Sequence, residues 1–562
     1  MAGWKERLAE SARRNRVELV DAKLSRRDLF KMGLLTSGGF LVAKAGLSSR
    51  AAEAGAPVSP RTRPWIEEIT NLPVAQPCTA AQLDCMPTET CQSSGKERAR
   101  TRHEHWDKVQ VDDLDCYANV NAPVQHSWHR DLPTDDCWAF NGQFPGPRIH
   151  ARAGKPVLIR WRNELMSVAA HRGYGLPTPT THLHNGHTAS ESDGNPLDTF
   201  ASGEWHDSLY LNRNAGFTDP RFGPMGDPRE TLSTMWYHDH CLDFTAQNVY
   251  RGNMGLYFQF TEFDSGNEND PNPVAWRLPS GDFDVPLVLH DRVFAPNGKG
   301  YFDLFNLDGV IGDKMTVNGK VEPFMRVARR KYRFRILNMG PSRFYNLFLS
   351  NSMNMVQLSH DGNFLPMPLT VRNIRFTVAS RVDVIIDFTN QPSGREIFLV
   401  NCQEQKDGRG PTGKLLPLAL GTKVLKFVVD GTIDTKGDPS RIPTRLLDLP
   451  PIPRAEVVTE RTFIFDRKNG GWSVNGKPFD HNVITAEPRL GTAEIWNFVN
   501  NSGGWSGTTT RDRRDLELRE QLGGLDASHP RPLRGAPDHH PQRQDPASRR
   551  DLPRGRGLAG SW

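Results

Sequence analysis

Apart from residues 32–47, no stretch of this chain is apolar for long enough to cross a bilayer, so stable membrane insertion is not expected. Charge of one sign is also lacking. Lys and Arg number 70 against 65 Asp and Glu, and much of the net +5 sits at the two ends, which speaks against a nucleic-acid partner. Cysteine is scarce, with seven in 562 residues. The most telling gap is local. From residue 507 to 561 there is no Val, Ile, Phe, Tyr, Met, Cys or Lys, and no sandwich strand can be built from what remains.

Between about residues 105 and 505 the pattern is different. Short β-branched and aromatic runs, punctuated by Gly and Pro, recur as in Pro156-Val-Leu-Ile-Arg-Trp161, Lys331-Tyr-Arg-Phe-Arg-Ile336 and Val382-Asp-Val-Ile-Ile-Asp387. This rhythm predicts an all-β chain of repeated sandwiches. The length allows roughly three or four domains. Ahead of them, Ser25-Arg26-Arg27-Asp28-Leu29-Phe30-Lys31, the apolar residues 32–47 and Ala51-Ala52-Glu53-Ala54 resemble a twin-arginine signal peptide. The expectation is export by that machinery to the periplasm or beyond, with a mature chain beginning near residues 52–55. Cys78, Cys85, Cys91, Cys116 and Cys137 crowd into the following region, where an oxidising compartment permits disulfides of unspecified pairing.

Two His-X-His pairs carry the chemistry: Thr181-His182-Leu183-His184 and Trp236-Tyr237-His238-Asp239-His240. Residues two apart on a strand share a face, so each pair can offer two imidazoles to one site. Four imidazoles favour copper or zinc. A single pair is ordinarily a structural feature satisfied by neighbouring carbonyls, but two pairs in one domain are hard to explain that way. His182, His184 and His187 imitate the spacing of zinc-dependent β-lactamase-like hydrolases. Gly186 stands where that pattern needs Asp, which argues against a hydrolase.

At these residues the chain resembles the multicopper oxidases, in particular the bacterial laccase, bilirubin-oxidase and phenoxazinone-synthase branch. The resemblance is carried by Thr181-His-Leu-His-Asn-Gly-His-Thr-Ala-Ser-Glu-Ser-Asp-Gly-Asn-Pro196, Thr234-Met-Trp-Tyr-His-Asp-His240 and Asn248-Val-Tyr-Arg-Gly-Asn-Met-Gly255. Phe140-Asn-Gly-Gln-Phe-Pro-Gly-Pro147 resembles the family's usual opening strand. Asp308-Gly-Val-Ile-Gly-Asp313 and Val317-Asn-Gly319 resemble its second domain. The resemblance implies three tandem cupredoxin-like Greek-key sandwiches and four coppers; in this chain two sandwiches are expected to be complete and the third truncated. It also implies copper as cofactor, dioxygen as oxidant and a small-molecule or metal-ion reductant. By position His182 would hold the type 2 copper and His184, His238 and His240 the type 3 pair. Asp193 matches the acidic residue thought to supply protons in this branch, with a plain turn role before Gly194 as the alternative. Asp239 would support the ligands beside it or serve as a turn residue.

The family's remaining ligands belong in a third domain, in a His-Pro-X-His-X-His motif soon after Trp505 and a later His-Cys-His motif. Neither is present, and neither Cys241 nor Cys402 has a blue-copper neighbourhood. Read one nucleotide downstream, Ser506 to Leu525 can encode AEPRLGTAEIWNFVNNSGGW, which is residues 486–505 letter for letter. A tandem duplication whose length is not a multiple of three is therefore expected, leaving His529, His539 and His540 as by-products with no ligand role. The expected layout is a signal peptide at 1–54, a Cys-containing segment at 55–104, sandwiches at 105–265 and 266–440, the start of a third at 441–505, and an out-of-frame tail at 506–562. The strands around residues 463–465 and 494–499 are expected to lack partners. The functional expectation is a multicopper oxidase by family, inactive as written. Its rivals are a non-catalytic copper-binding or copper-resistance protein and a cupredoxin-like scaffold without metal.

Overall fold

The computed structural model describes residues 56–502, apart from short stretches within them. The predicted signal peptide and the tail from residue 506, with its three histidines, lie outside the described residues. The chain divides into one unit running to Leu447 and another beginning at Asp448.

Within the larger unit the first sandwich is built from eight strands: β1 (Asp115–His126), β2 (Asp135–Phe140), β3 (Ile149–Arg152), β4 (Val157–Asn163), β5 (Thr181–His184), β6 (Trp205–Tyr210), β7 (Thr234–Asp239) and β8 (Met254–Phe260). They form two sheets, ordered β2-β1-β4-β6 and β3-β8-β7-β5. Alternating side chains from both sheets, among them Tyr117, Ile159, Trp161, Leu183, Met235, Tyr237 and Tyr257, meet in one core. A short helix, α1 (Thr245–Arg251), connects β7 to β8 and ends at Gly252 with a φ of 127°. An added Cβ at Gly252 would lie 2.2 Å from the Trp138 carbonyl oxygen, so only glycine fits there.

The second sandwich repeats the plan. An eight-stranded sheet has Lys331–Asn338 between the parallel strand Asp284–Phe294 and the antiparallel strand Arg381–Asp387. A five-stranded sheet of Phe324–Val327, Thr422–Val429, Glu396–Asn401, Tyr345–Leu349 and Asn373–Phe376 covers it across a core of Leu287, Phe334, Val384, Leu347, Leu399 and Phe427. The three runs singled out in the sequence fall in strands, with Pro156 just ahead of β4. The opening-strand expectation for residues 140–147 needs correction. Only Phe140 is in a strand, and Asn141 and Gly142, at φ of 52° and 71°, turn the chain away.

The sandwiches touch back to back through Trp236, Leu256 and Phe258 of the first and Val288, Leu337 and Met339 of the second. Beside this apolar contact Arg333 bridges Asp264 and Asp383, while Arg335 pairs with Asp284 at 2.8 Å. Strands buried on both faces lose their alternation, which is why β7 and β8 are buried along their whole length. Residues before β1 run over both sandwiches: Trp65 bonds to Glu322, Ala75 to Arg148 and Cys78 to Cys116 through their backbones. All seven cysteines are free thiols.

In the smaller unit, strands Val457–Lys468, Gly471–Val474 and Ala493–Asn500 form one sheet. Here the expectation of unpartnered strands fails. The first and third pair in parallel from Val457 opposite Ala493 to Phe465 opposite Asn500, so each satisfies the other's backbone. The pairing leaves Val458, Ile464 and Val499 exposed at 60%, 39% and 44%.

Candidate metal centre

The two His-X-His pairs lie on neighbouring antiparallel strands in a register that sets His182 opposite His238 and His184 opposite Trp236. Leu183 and Tyr237, the alternate residues, point into the core of the first sandwich. The histidines must therefore point out of the other face. His240, one residue past β7, continues the pairing by donating its backbone N–H to the Thr180 carbonyl at 2.8 Å.

The rings converge. The His182 centroid is 5.6 Å from that of His184, 5.5 Å from His238 and 5.3 Å from His240. Trp236 stacks on His238 at 4.0 Å. Nitrogens of His182, His184 and His238 all lie within 4.8 Å of one another, the only such group of three or more His, Cys, Asp or Glu side chains among the described residues.

Second partners orient the imidazoles. His182 Nδ1 lies 2.6 Å from the Asp193 carbonyl oxygen and His238 Nδ1 lies 2.8 Å from the Asp239 carbonyl oxygen. Each Nδ1 must donate its hydrogen there, which leaves Nε2 with a lone pair for the cluster. His184 Nδ1 sits 3.2 Å from His238 Nε2, and buried His240 Nδ1 has no protein partner. Crowded nitrogens with lone pairs to spare suit a soft or borderline cation, so the residues fit copper. Burial, aided by neighbouring cations, pushes His184 and His238 well below the ordinary imidazole pKa, and His240 down to about 4. Burial works the same way on His182, but Asp193 outweighs it and holds that pKa up.

Asp193 occupies the turn position weighed for it and also faces His182. It ends a 3-10 turn ahead of Gly194, whose φ is 77°. Its carboxylate also lies 3.4 Å from His182 Nδ1 and accepts from Thr188 Oγ1 at 2.9 Å. Asp239 is fully buried and accepts from Thr180 N, Cys241 N and Asn248 Nδ2 at 3.0, 3.1 and 2.9 Å. Burial raises its carboxyl to about 7. His187 is not part of the cluster: its Nδ1 accepts from Ala215 N at 3.1 Å, which removes the hydrolase arrangement. Sequence reasoning missed Asn185 and Arg381, which bond at the edge of the site. No spacing rule links residues so far apart.

Profiles described as multicopper oxidase match residues 124–196 and 297–416. A laccase of Bacillus subtilis (strain 168) is 30% identical over 409 residues, covering 67% of this chain and 74% of the laccase. Multicopper oxidase LPR1 homolog 1 of Oryza sativa subsp. japonica is 32% identical over 422 residues, which cover 67% of this chain and 66% of the rice protein, just under two thirds of its length. Among solved structures, a laccase-like multicopper oxidase from Ochrobactrum sp. superposes with a TM-score of 0.56 at 24% identity, covering 70% of this chain and 80% of that one. That likeness supports the cupredoxin-like fold.

Proposed function

Because this chain belongs to the multicopper oxidase family, we propose that its reaction is the family's: one-electron oxidation of a phenol, aromatic amine, pigment or metal ion, coupled to four-electron reduction of dioxygen to water. The observation that carries this reading is the convergence of His182, His184, His238 and His240. His182 would hold the type 2 copper, and the other three would belong to the type 3 pair. Bound copper supplies the one-electron steps that carbon-based side chains cannot.

The chain's own groups orient and desolvate the site. The carbonyls of Asp193 and Asp239 fix which nitrogen faces it, Trp236 covers one imidazole face, and the Asp193 carboxylate, 3.4 Å from His182 Nδ1, would pass a proton there. The twin-arginine segment supports export to the periplasm. We further infer that residues 506–562 are read out of frame, from the twenty-residue self-match, and that the chain as written binds less than the family's copper complement and does not turn over. A non-catalytic copper-binding role is the second reading, favoured by the same first-domain ligands standing without third-domain partners in the sequence.

Copper stoichiometry of the purified full chain, measured with oxidation of 2,6-dimethoxyphenol, tests these readings. Partial loading without turnover fits the chain as written. Turnover would overturn the inference of inactivity, and absence of bound copper would sink the site assignment. The nucleotide sequence across codons 480–530 tests the frame.

A further inference from the structure

Several contacts join the second sandwich to β7, and one side chain of that sandwich, Arg381, reaches both histidine strands. Arg381 opens the strand Arg381–Asp387 and is 1% exposed. Its guanidinium spans both histidine strands. Nη2 donates to Asn185 Oδ1 at 2.5 Å, and Nε donates to the Thr234 carbonyl oxygen at 3.3 Å. Asn185 directly follows His184 and has a φ of 65°, so it is the turn that ends β5. Thr234 is the first residue of β7, the strand that carries His238.

The other edge of the guanidinium is anchored in its own sandwich. Nη1 donates to the Ala379 carbonyl at 3.0 Å and to Asp361 Oδ1 at 3.4 Å, and the same carboxylate oxygen accepts the Arg381 backbone N–H at 3.0 Å. The Asp361 loop presses on β7: a Cβ on Gly362 would lie 3.0 Å from the Thr234 carbonyl oxygen, and Ser233 N donates to the Gly362 carbonyl at 2.9 Å. Thr234 Oγ1 donates to Asp383 Oδ1 at 2.7 Å. Burying a guanidinium beside a cation-binding site works against metal affinity through charge alone. A planar fork that holds two strands at fixed spacing gives a reason for it to be there.

We propose that Arg381 is a positioning residue that locks the two histidine pairs at the spacing copper needs, so that packing of the second sandwich governs the metal site of the first. This rests on the assignment of the four histidines to copper. Arg381 directs its hydrogen bonds at Asn185, Thr234, Ala379 and Asp361 and so acts through the strands.

Charge and positioning predict opposite signs. If Arg381 acted only as a nearby cation, R381Q would bind Cu(II) more tightly. If it positions, R381Q weakens Cu(II) binding about 10- to 100-fold in a competition titration of the full chain, as loss of an outer partner does, and changes the copper EPR spectrum. R381K should recover part of the affinity. The control R330M, which breaks a buried pair with Glu268 in the second sandwich, should lower stability and leave copper affinity unchanged. A second pair covers failure of R381Q to fold. N185G keeps the left-handed turn but removes the acceptor and should weaken copper, whereas N185D keeps the acceptor and should not.

Amide hydrogen exchange across Thr181–His184 in the metal-free chain should quicken in R381Q and N185G but not in R330M. This arm is independent of whether the wild type takes up copper. Tighter binding in R381Q, or unchanged exchange and affinity in N185G, overturns the proposal. Absence of copper from the wild type with the exchange effect intact would count against the copper assignment alone.

Discussion

The two sandwiches of the larger unit use the same strand pair for different ends. In the first, the sheet order β3-β8-β7-β5 places His182 opposite His238. In the second, the sheet that also starts with a parallel edge pair places Phe348 opposite Val400 in the corresponding pair of strands. Both sandwiches have a continuous core, so the backbone plan holds without histidine at this strand pair. The site is therefore a matter of which side chains decorate the outward face of one strand pair, and of what reaches it from outside.

The largest expected effect comes from erasing that difference. H182F/H238V gives the first sandwich the second one's residues at this pair. Copper bound by the full chain should fall about tenfold or more, while far-UV circular dichroism and the thermal midpoint stay near those of the parent. Retained copper at parental stoichiometry would mean that the strand pair is not the site. The next largest effect tests whether the sandwiches stand or fall together. Arg333 joins Asp264 and Ser233 of the first to Asp383 of the second, all buried. R333M removes the close partner of both carboxylates, leaving only Arg335 at 3.7 Å from each, and should cost about 3–5 kcal/mol in urea unfolding, with fluorescence and circular dichroism transitions that still coincide. Separate transitions would show that the sandwiches unfold independently.

A matched pair of cavities refines the comparison. Leu183 lies between His182 and His184, and Leu347 lies beside Phe348; both are nearly inaccessible to solvent. L183A and L347A should each cost about 2–5 kcal/mol. Only L183A should also weaken copper binding, because its cavity lies directly under the histidines. Equal copper affinity in the two variants would argue that the backbone of β5 is held entirely from its ends.

Much of this was legible in the chain itself. Strand runs such as Val382-Asp-Val-Ile-Ile-Asp387 and the period-two spacing of the histidines are local signals, and local signals survive folding. The segment from Phe140 misled because a motif tied to a family marks a place in the fold without stating its conformation. The partners of residues 463–465 could not be read, since parallel pairing with residues 498–500 depends on contacts distant in sequence. Arg381 was invisible for the same reason: it lies 196 residues from Asn185.

The smallest effect concerns acid. The first sandwich half-buries His126 and His150, each with its pKa lowered to about 4, chiefly by desolvation. His150 stacks on Phe258 and faces Arg148, Arg335 and Arg152, which lower its pKa further, with Asp284 opposing them. An unfolded chain protonates these rings near the ordinary value of 6.5, while the folded chain resists until about 4. Between those limits the unfolded state binds more protons, so stability is full above about 6.5 and declines as pH falls toward 4. H150F should therefore flatten the dependence of the urea midpoint on pH across this window, whereas L347A in the second sandwich should shift the whole curve and keep its slope. The measurement belongs on metal-free protein, because copper binding to imidazoles carries a pH dependence of its own. An unchanged slope in H150F would place the acid sensitivity on other desolvated groups, His126 first among them.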